Sequence, residues 1–100
     1  ISHNKFNIKL FVINNGGYVS MHNWADTFFK GRRLDNPKDT GTGTLNFKNI
    51  AKAFDLDHYL IHNFKEIDND LRKIMKNNKP LFIEVITDPR QKIYDAFKDY

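Results

Sequence analysis

Apolar and polar positions alternate along this chain in blocks that predict six elements. Ile8-Lys9-Leu10-Phe11-Val12-Ile13 is a short apolar run closed by Asn14-Asn15-Gly16-Gly17. A run of that length bounded by turn residues predicts a buried strand followed by a tight turn. Met21, Trp24, Ala25 and Phe28 then recur at helical spacing, with Ser20 as the expected N-cap and Gly31 as the stop. Residues 34–44 hold Pro37, Gly41, Gly43 and three threonines, which predicts a loop. Its length is near the upper limit for a passive connection and points to a functional one.

Phe47, Ile50, Ala51 and Phe54 make one face of a second helix, opened by Asn46 as N-cap. His58-Tyr59-Leu60-Ile61 reads as a short strand. Asn63 and Glu66 have the spacing of a capping box. Phe64, Ile67, Leu71, Ile74 and Met75 form the apolar stripe of a third helix, which Asn77-Asn78-Lys79-Pro80 ends. Leu81 to Ile86 is a last strand, apolar except for Glu84, and Thr87-Asp88-Pro89 closes it.

Strand, helix, helix, strand, helix, strand is the order of an α/β fold with a parallel sheet and flanking helices. The strands are near-continuous apolar runs, as strands covered on both faces are. Three strands are few for such a sheet. The expectation is a part of a larger one, with a strand edge left uncovered. No internal repeat and no low-complexity segment interrupts the chain.

Composition narrows the function classes. With 100 residues the chain is one domain at most, and it has no cysteine, so thiolate metal sites and disulfides are excluded. That suits a reducing compartment, and a cytoplasmic location is expected. No apolar stretch is long enough to span a membrane, and the polar residues 1–6 lack the apolar core of a signal peptide. The net charge of +4 is spread along the chain, with Lys30, Arg32 and Arg33 as its one local cluster. Without a nucleic-acid motif beside it, that cluster reads as a solvated face, so neither nucleic acid nor membrane is expected as a partner.

The chemistry concentrates in residues 12–18, Val-Ile-Asn-Asn-Gly-Gly-Tyr. In open α/β sheets, ligands sit beyond the carboxyl ends of the strands, where this turn falls, just before a helix. Backbone N–H groups and the helix dipole favour an anion such as phosphate there. Glycines let the backbone approach it closely. An Asn side-chain oxygen and a backbone carbonyl are also the hard ligands that Mg²⁺ accepts. Taken bare that signal is weak, since Asn14-Asn15-Gly16-Gly17 is also what a simple turn with no ligand looks like, the reading the residues alone favour.

Elsewhere the residues offer less. His58 and His62, on one face of a strand, would lie about 13 Å apart at roughly 3.3 Å per residue, too far for one metal. His22 reads as an exposed helix residue beside the turn. Asp68 and Asp70 fall on the polar face of the third helix. No strained nucleophile turn supports a Ser-His-Asp set. Glu84 stands out as a charge inside an apolar strand.

Residues 13–18 resemble the second half of the thiamine-diphosphate motif, which opens with Gly-Asp-Gly and ends a couple of dozen residues later with Asn-Asn after a strand. Trp24, Asp26 and Phe28 are similar in spacing to the Gln-Trp-Glu-Asp-x-Phe segment of acetolactate synthases, with Asn23 and Ala25 as departures. Residues 47–54, Phe-Lys-Asn-Ile-Ala-Lys-Ala-Phe, resemble that family's Phe-x-x-Ile-Ala-x-Ala-Phe/Tyr-Gly helix, with Asp55 at the Gly position. Residues 80–85 and Asp88-Pro89-x-Gln91 resemble its closing strand and tail. Val19-Ser20 stands where acetolactate synthases have Gly-Met, a version more like relatives in bacterial surface-sugar pathways.

The resemblance implies that residues 1–100 are the C-terminal half of a thiamine-diphosphate-binding, Rossmann-like domain, incomplete by itself. It implies Asn15 as a Mg²⁺ ligand by its side-chain oxygen and Gly17 by its carbonyl. Gly16, Tyr18, Val19 and Ser20 would lie along the diphosphate. Trp24 would border the substrate channel or, equally, sit in the core as a helix aromatic. The implied activity is that of a 2-oxo-acid decarboxylase or carboligase. The implied partners are the upstream Gly-Asp-Gly half, a pyrimidine-binding domain that supplies the cofactor-activating Glu, and further copies in a homo-oligomer. No catalytic residue falls in this chain, which is expected to be inactive alone. Two other readings stay open: a non-enzymatic α/β interaction module and a generic nucleotide binder.

Overall fold

A computed structural model describes residues 1–32, 43 and 45–91. Apart from Gly43, the loop 34–44 lies outside the described residues, as does Arg33 of the basic cluster. The order of elements is β1 (Lys9–Asn14), α1 (Val19–Phe28), α2 (Phe47–Ala53), β2 (Asp57–Ile61), a 3₁₀ turn (Phe64–Glu66), α3 (Ile67–Lys76) and β3 (Leu81–Ile86). The chain forms two compact units. One comprises residues 1–14 and 45–86, the other residues 15–44 and 87–100.

The first unit is a three-stranded sheet in the order β1-β3-β2. Both pairings are parallel, with Phe11 and Tyr59 each opposite Ile83. This is the α/β arrangement that the alternation of elements predicts. The last strand to be made is the central one. Leu81 through Val85 are all buried, as a strand with two neighbours and two covered faces must be.

Strand alternation divides β3 between two environments. Leu81, Ile83 and Val85 share a face with Ile61 and meet Ile74 of α3, with Tyr59 and Ile67 packed against them. Phe82, Glu84 and Ile86 point the other way. There the ring of Phe82 lies 6.2 Å from that of Phe47 on α2 and stacks at the same separation on His58. The Tyr59 hydroxyl donates to Asp70 Oδ1 over 2.8 Å, joining β2 to α3. That bond to a carboxylate raises the Tyr59 pKa above its ordinary value, with burial adding to the rise.

Local signals account for the helix ends. Asn46 caps α2 by accepting from the Asn49 N–H at 2.9 Å. The helix ends because Asp55 turns left-handed at φ 53, a conformation Asp tolerates better than most residues. Asn63 also caps, but accepts from the Lys65 N–H at 3.1 Å, so it opens a 3₁₀ turn and α3 starts three residues later than the box predicts.

Three apolar assignments are corrected. Phe54, Phe64 and Met75 are exposed. Phe54 is the C-cap of α2, beyond its buried face. Phe64 lies in the 3₁₀ turn, out of phase with the stripe that Ile74 anchors. Met75 is one residue past Ile74 and so is rotated off that stripe. His62 lies beyond the end of β2, so strand geometry does not govern its spacing from His58.

Candidate functional site

β1 carries the chain to Asn14, and the turn begins at the next residue. Within the second unit, Gly16 has φ 75, a left-handed conformation that glycine enters without the Cβ penalty. A Cβ built there would sit 3.6 Å from the Pro89 ring, an ordinary contact, so the dihedral is what demands glycine. Asn15 Oδ1 faces the Gly17 N–H at 3.4 Å. The Asp88 carboxylate accepts from the Arg90 backbone N–H at 2.8 Å and from its guanidinium at 3.1 Å, which folds the turn that carries Pro89. The same bonds hold the Asp88 carboxyl below the usual carboxylate range.

The turn runs directly into α1. Its N-cap is Tyr18, not Ser20: the His22 N–H bonds to the Tyr18 carbonyl, which places Ser20 inside the first turn. No side chain caps this end, and its first turn holds no acidic residue. A helix start in that condition keeps its positive dipole end and orphan N–H groups for an outside acceptor. The side chain of Val19 is buried, whereas Tyr18 and Trp24 are each 59% exposed. The Trp24 ring contacts Phe28 with centroids 4.7 Å apart. Its exposure excludes the core role within the described residues. At the other end, α1 stops where Lys30 and Gly31 both take positive φ and the Gly31 N–H reaches the Ala25 carbonyl at 3.0 Å.

The first unit holds a cluster that sequence reasoning did not assemble. Glu84 Oε1 accepts from Asn14 Nδ2 at 2.7 Å. Its other oxygen, Oε2, lies 2.7 Å from His58 Nε2. One carboxylate thus bridges all three strands on the α2 side of the sheet. Among the described residues Glu84 is the buried charged side chain. The available sign was the lone charge in an apolar strand. At the opposite ends of the strands, Ser2, Lys5, Asp55, Asp57, Asn78, Lys79 and Pro80 line an open depression of about 460 Å³. No group of three or more His, Asp or Glu among the described residues is placed to hold a metal ion. No helix among them is long and apolar enough to cross a membrane.

The model of the thiamine pyrophosphate enzyme C-terminal TPP-binding domain matches residues 1–85, which include both the turn and the bridged strands. The chain belongs to this family. Thiamine pyrophosphate is another name for thiamine diphosphate. Among relatives of the family, the acetolactate synthase large subunit of Lactococcus lactis is 32% identical over 79 residues, 79% of this chain and 13% of that protein. Acetolactate synthase 1, chloroplastic, of Zea mays is 26% identical over an alignment of 102 positions, covering 92% of this chain and 16% of the relative. The large subunit from Porphyra purpurea is 27% identical over 84 residues, 84% of this chain and 14% of its own length. The chain therefore spans less than a fifth of the length of these relatives.

Proposed function

We propose that this chain supplies part of the thiamine-diphosphate and Mg²⁺ site of a 2-oxo-acid decarboxylase or carboligase like the acetolactate synthases. The observation that carries the reading is the segment of residues 15–20. A left-handed glycine and two neutral oxygens lead into a helix start that has no capping side chain and no acid in its first turn.

Asn15 Oδ1 and the Gly17 carbonyl are the Mg²⁺ ligands, both hard oxygens of the kind this ion takes. The 3.4 Å contact between Asn15 Oδ1 and the Gly17 N–H is long, so giving it up for a cation costs little. Gly16, Tyr18, Val19 and Ser20 lie along the diphosphate. Val19 contributes its backbone N–H, since its side chain is buried. Trp24 borders the substrate channel with its exposed ring. Thiamine diphosphate supplies the carbanion-stabilising chemistry when bound. The residues of this chain bind and orient it, and none of them is assigned a proton transfer.

Two neutral oxygens do not balance a divalent cation. The remainder of the natural protein completes the site, with an Asp from an upstream Gly-Asp-Gly, a pyrimidine-binding domain and a homo-oligomeric assembly. In this reading residues 1–100 are an incomplete domain, inactive by themselves. A sequence without cysteine suits a reducing compartment such as the cytoplasm.

Calorimetric titration of thiamine diphosphate, with Mg²⁺, into the natural protein at full length tests this. Asn15→Ala should weaken binding about tenfold or more, the scale on which losing a metal-site contact is felt. Equal affinity in wild type and variant refutes the assignment.

A further inference from the structure

We infer that Glu84 is a positioning residue for the cofactor-binding turn, acting through Asn14. The inference rests on the reading of residues 15–20 as that turn.

Glu84 occupies the central strand and is 9% exposed. A carboxylate at that depth is costly unless its oxygens are bonded. Both are. Asn14 and His58 each reach one oxygen at 2.7 Å, from β1 and β2 respectively. The sheet is parallel and β3 lies in the middle. Asn14, Glu84 and His58 therefore sit on the same face, along a diagonal across three strands. Two hydrophobic residues at Asn14 and Glu84 would bury that face with no desolvation cost. What the charged arrangement adds is direction. A charge-assisted bond fixes the side chain of Asn14 at one angle and one distance, which apolar packing does not.

Asn14 is the last residue of β1, and its carbonyl carbon is bonded to the nitrogen of Asn15. Restraining the Asn14 side chain restrains the backbone from which the Mg²⁺ ligand Asn15 departs. Among the described residues β1 pairs with β3 and with no other strand. The Glu84 bond is a side-chain tie that adds to that ladder. His58 holds the second carboxylate oxygen, so the carboxylate cannot rotate away from Asn14. Asn14 and Asn15 then have separate tasks: the first is held by the sheet and the second meets the metal.

A donor–acceptor swap tests this in the natural protein at full length, read by titration with thiamine diphosphate at a series of Mg²⁺ concentrations. Asn14→Asp sets a second carboxylate against Glu84 and should weaken binding about tenfold or more. Adding Glu84→Gln to that variant puts an amide against the new carboxylate, leaves an oxygen for His58, and should restore the affinity to within about threefold of wild type. Glu84→Ala should weaken binding and raise the Mg²⁺ concentration required. A double variant that binds no better than Asn14→Asp overturns the inference, as does a folded Glu84→Ala protein that binds like wild type. If Glu84→Ala does not fold, the swap pair decides, since it conserves both hydrogen bonds. A wild-type protein that binds no thiamine diphosphate with Mg²⁺ sinks the reading of the turn itself. Wild-type binding that is insensitive to the swap sinks only the role of Glu84.

Discussion

β1 and β2 flank the same central strand in the same parallel sense, yet their surroundings differ. Ile61 of β2 is 1% exposed, while Phe11 and Ile13, which share its face of the sheet from β1, are 43% and 57% exposed. Leu10, on the other face of β1, is exposed as well. Periodicity does not distinguish the two strands, since both read as apolar runs. The difference is cover: in the first unit α3 packs over β2 and β3, and no described element of that unit buries β1. We propose that a strand carrying apolar residues on both faces without burying them takes its cover from the remainder of the natural protein. That agrees with a chain spanning 13% of the length of its Lactococcus lactis relative.

The sharpest way to break the comparison is to truncate a side chain on each side of it. Ile83→Ala, at a fully buried position, should cost about 2–5 kcal/mol. That is a large share of a typical domain's stability, and chemical denaturation of the natural protein would show it. Phe11→Ala should cost under about 1 kcal/mol in the isolated 100-residue chain and about 3 kcal/mol at full length, where we propose that β1 is covered. Equal costs in the two contexts would mean that β1 has no further cover.

A smaller effect concerns the edge of β1 that no strand among the described residues pairs with. An uncovered apolar edge strand is a template for pairing, so the 100-residue chain should self-associate. Ile13→Lys should suppress this in sedimentation runs while shifting the melting temperature little. A chain that is monomeric without the substitution would contradict the open edge.

The smallest expected effect sharpens the β2 side. Tyr59→Phe removes the bond to Asp70 and should cost about 1 kcal/mol at neutral pH. The Tyr59 pKa is raised in the folded state above its ordinary value by the bond to Asp70. The folded form therefore gains stability that is fully present below the unfolded pKa and is lost as pH rises through the folded one. Urea titrations at neutral and strongly alkaline pH should show the gap between wild type and Tyr59→Phe closing as the phenol ionises. A gap that stays constant would argue that the hydroxyl bond does not couple β2 to α3.

Much of the fold was legible because its signals are local. Asn46 caps α2 with its own side chain, and the left-handed Asp55 ends it. The turn at Gly16 and the run of β3 were also readable from neighbours in sequence. The misses share a cause. Ser suits a cap position, but the chain enters α1 two residues before Ser20, at Tyr18. Phe54, Phe64 and Met75 are apolar in sequence and exposed in the structure, since the phase of a short helix is set by what it packs against.

By itself the sequence determined the element order, the parallel α/β class and the position of the glycine-rich turn after a strand. Each of these depends on dihedral preferences and hydrophobic spacing within a dozen or so residues. The sequence also placed a charge at Glu84 without saying what it met. Only the tertiary structure decided that β3, the last strand in the chain, lies in the middle of the sheet. That order brings Asn14, 70 positions away, and His58, 26 positions away, to the two oxygens of one buried carboxylate. Strand order follows from which faces can be buried together. No local pattern encodes it, so a bond between side chains on three strands could not be read until the sheet was assembled.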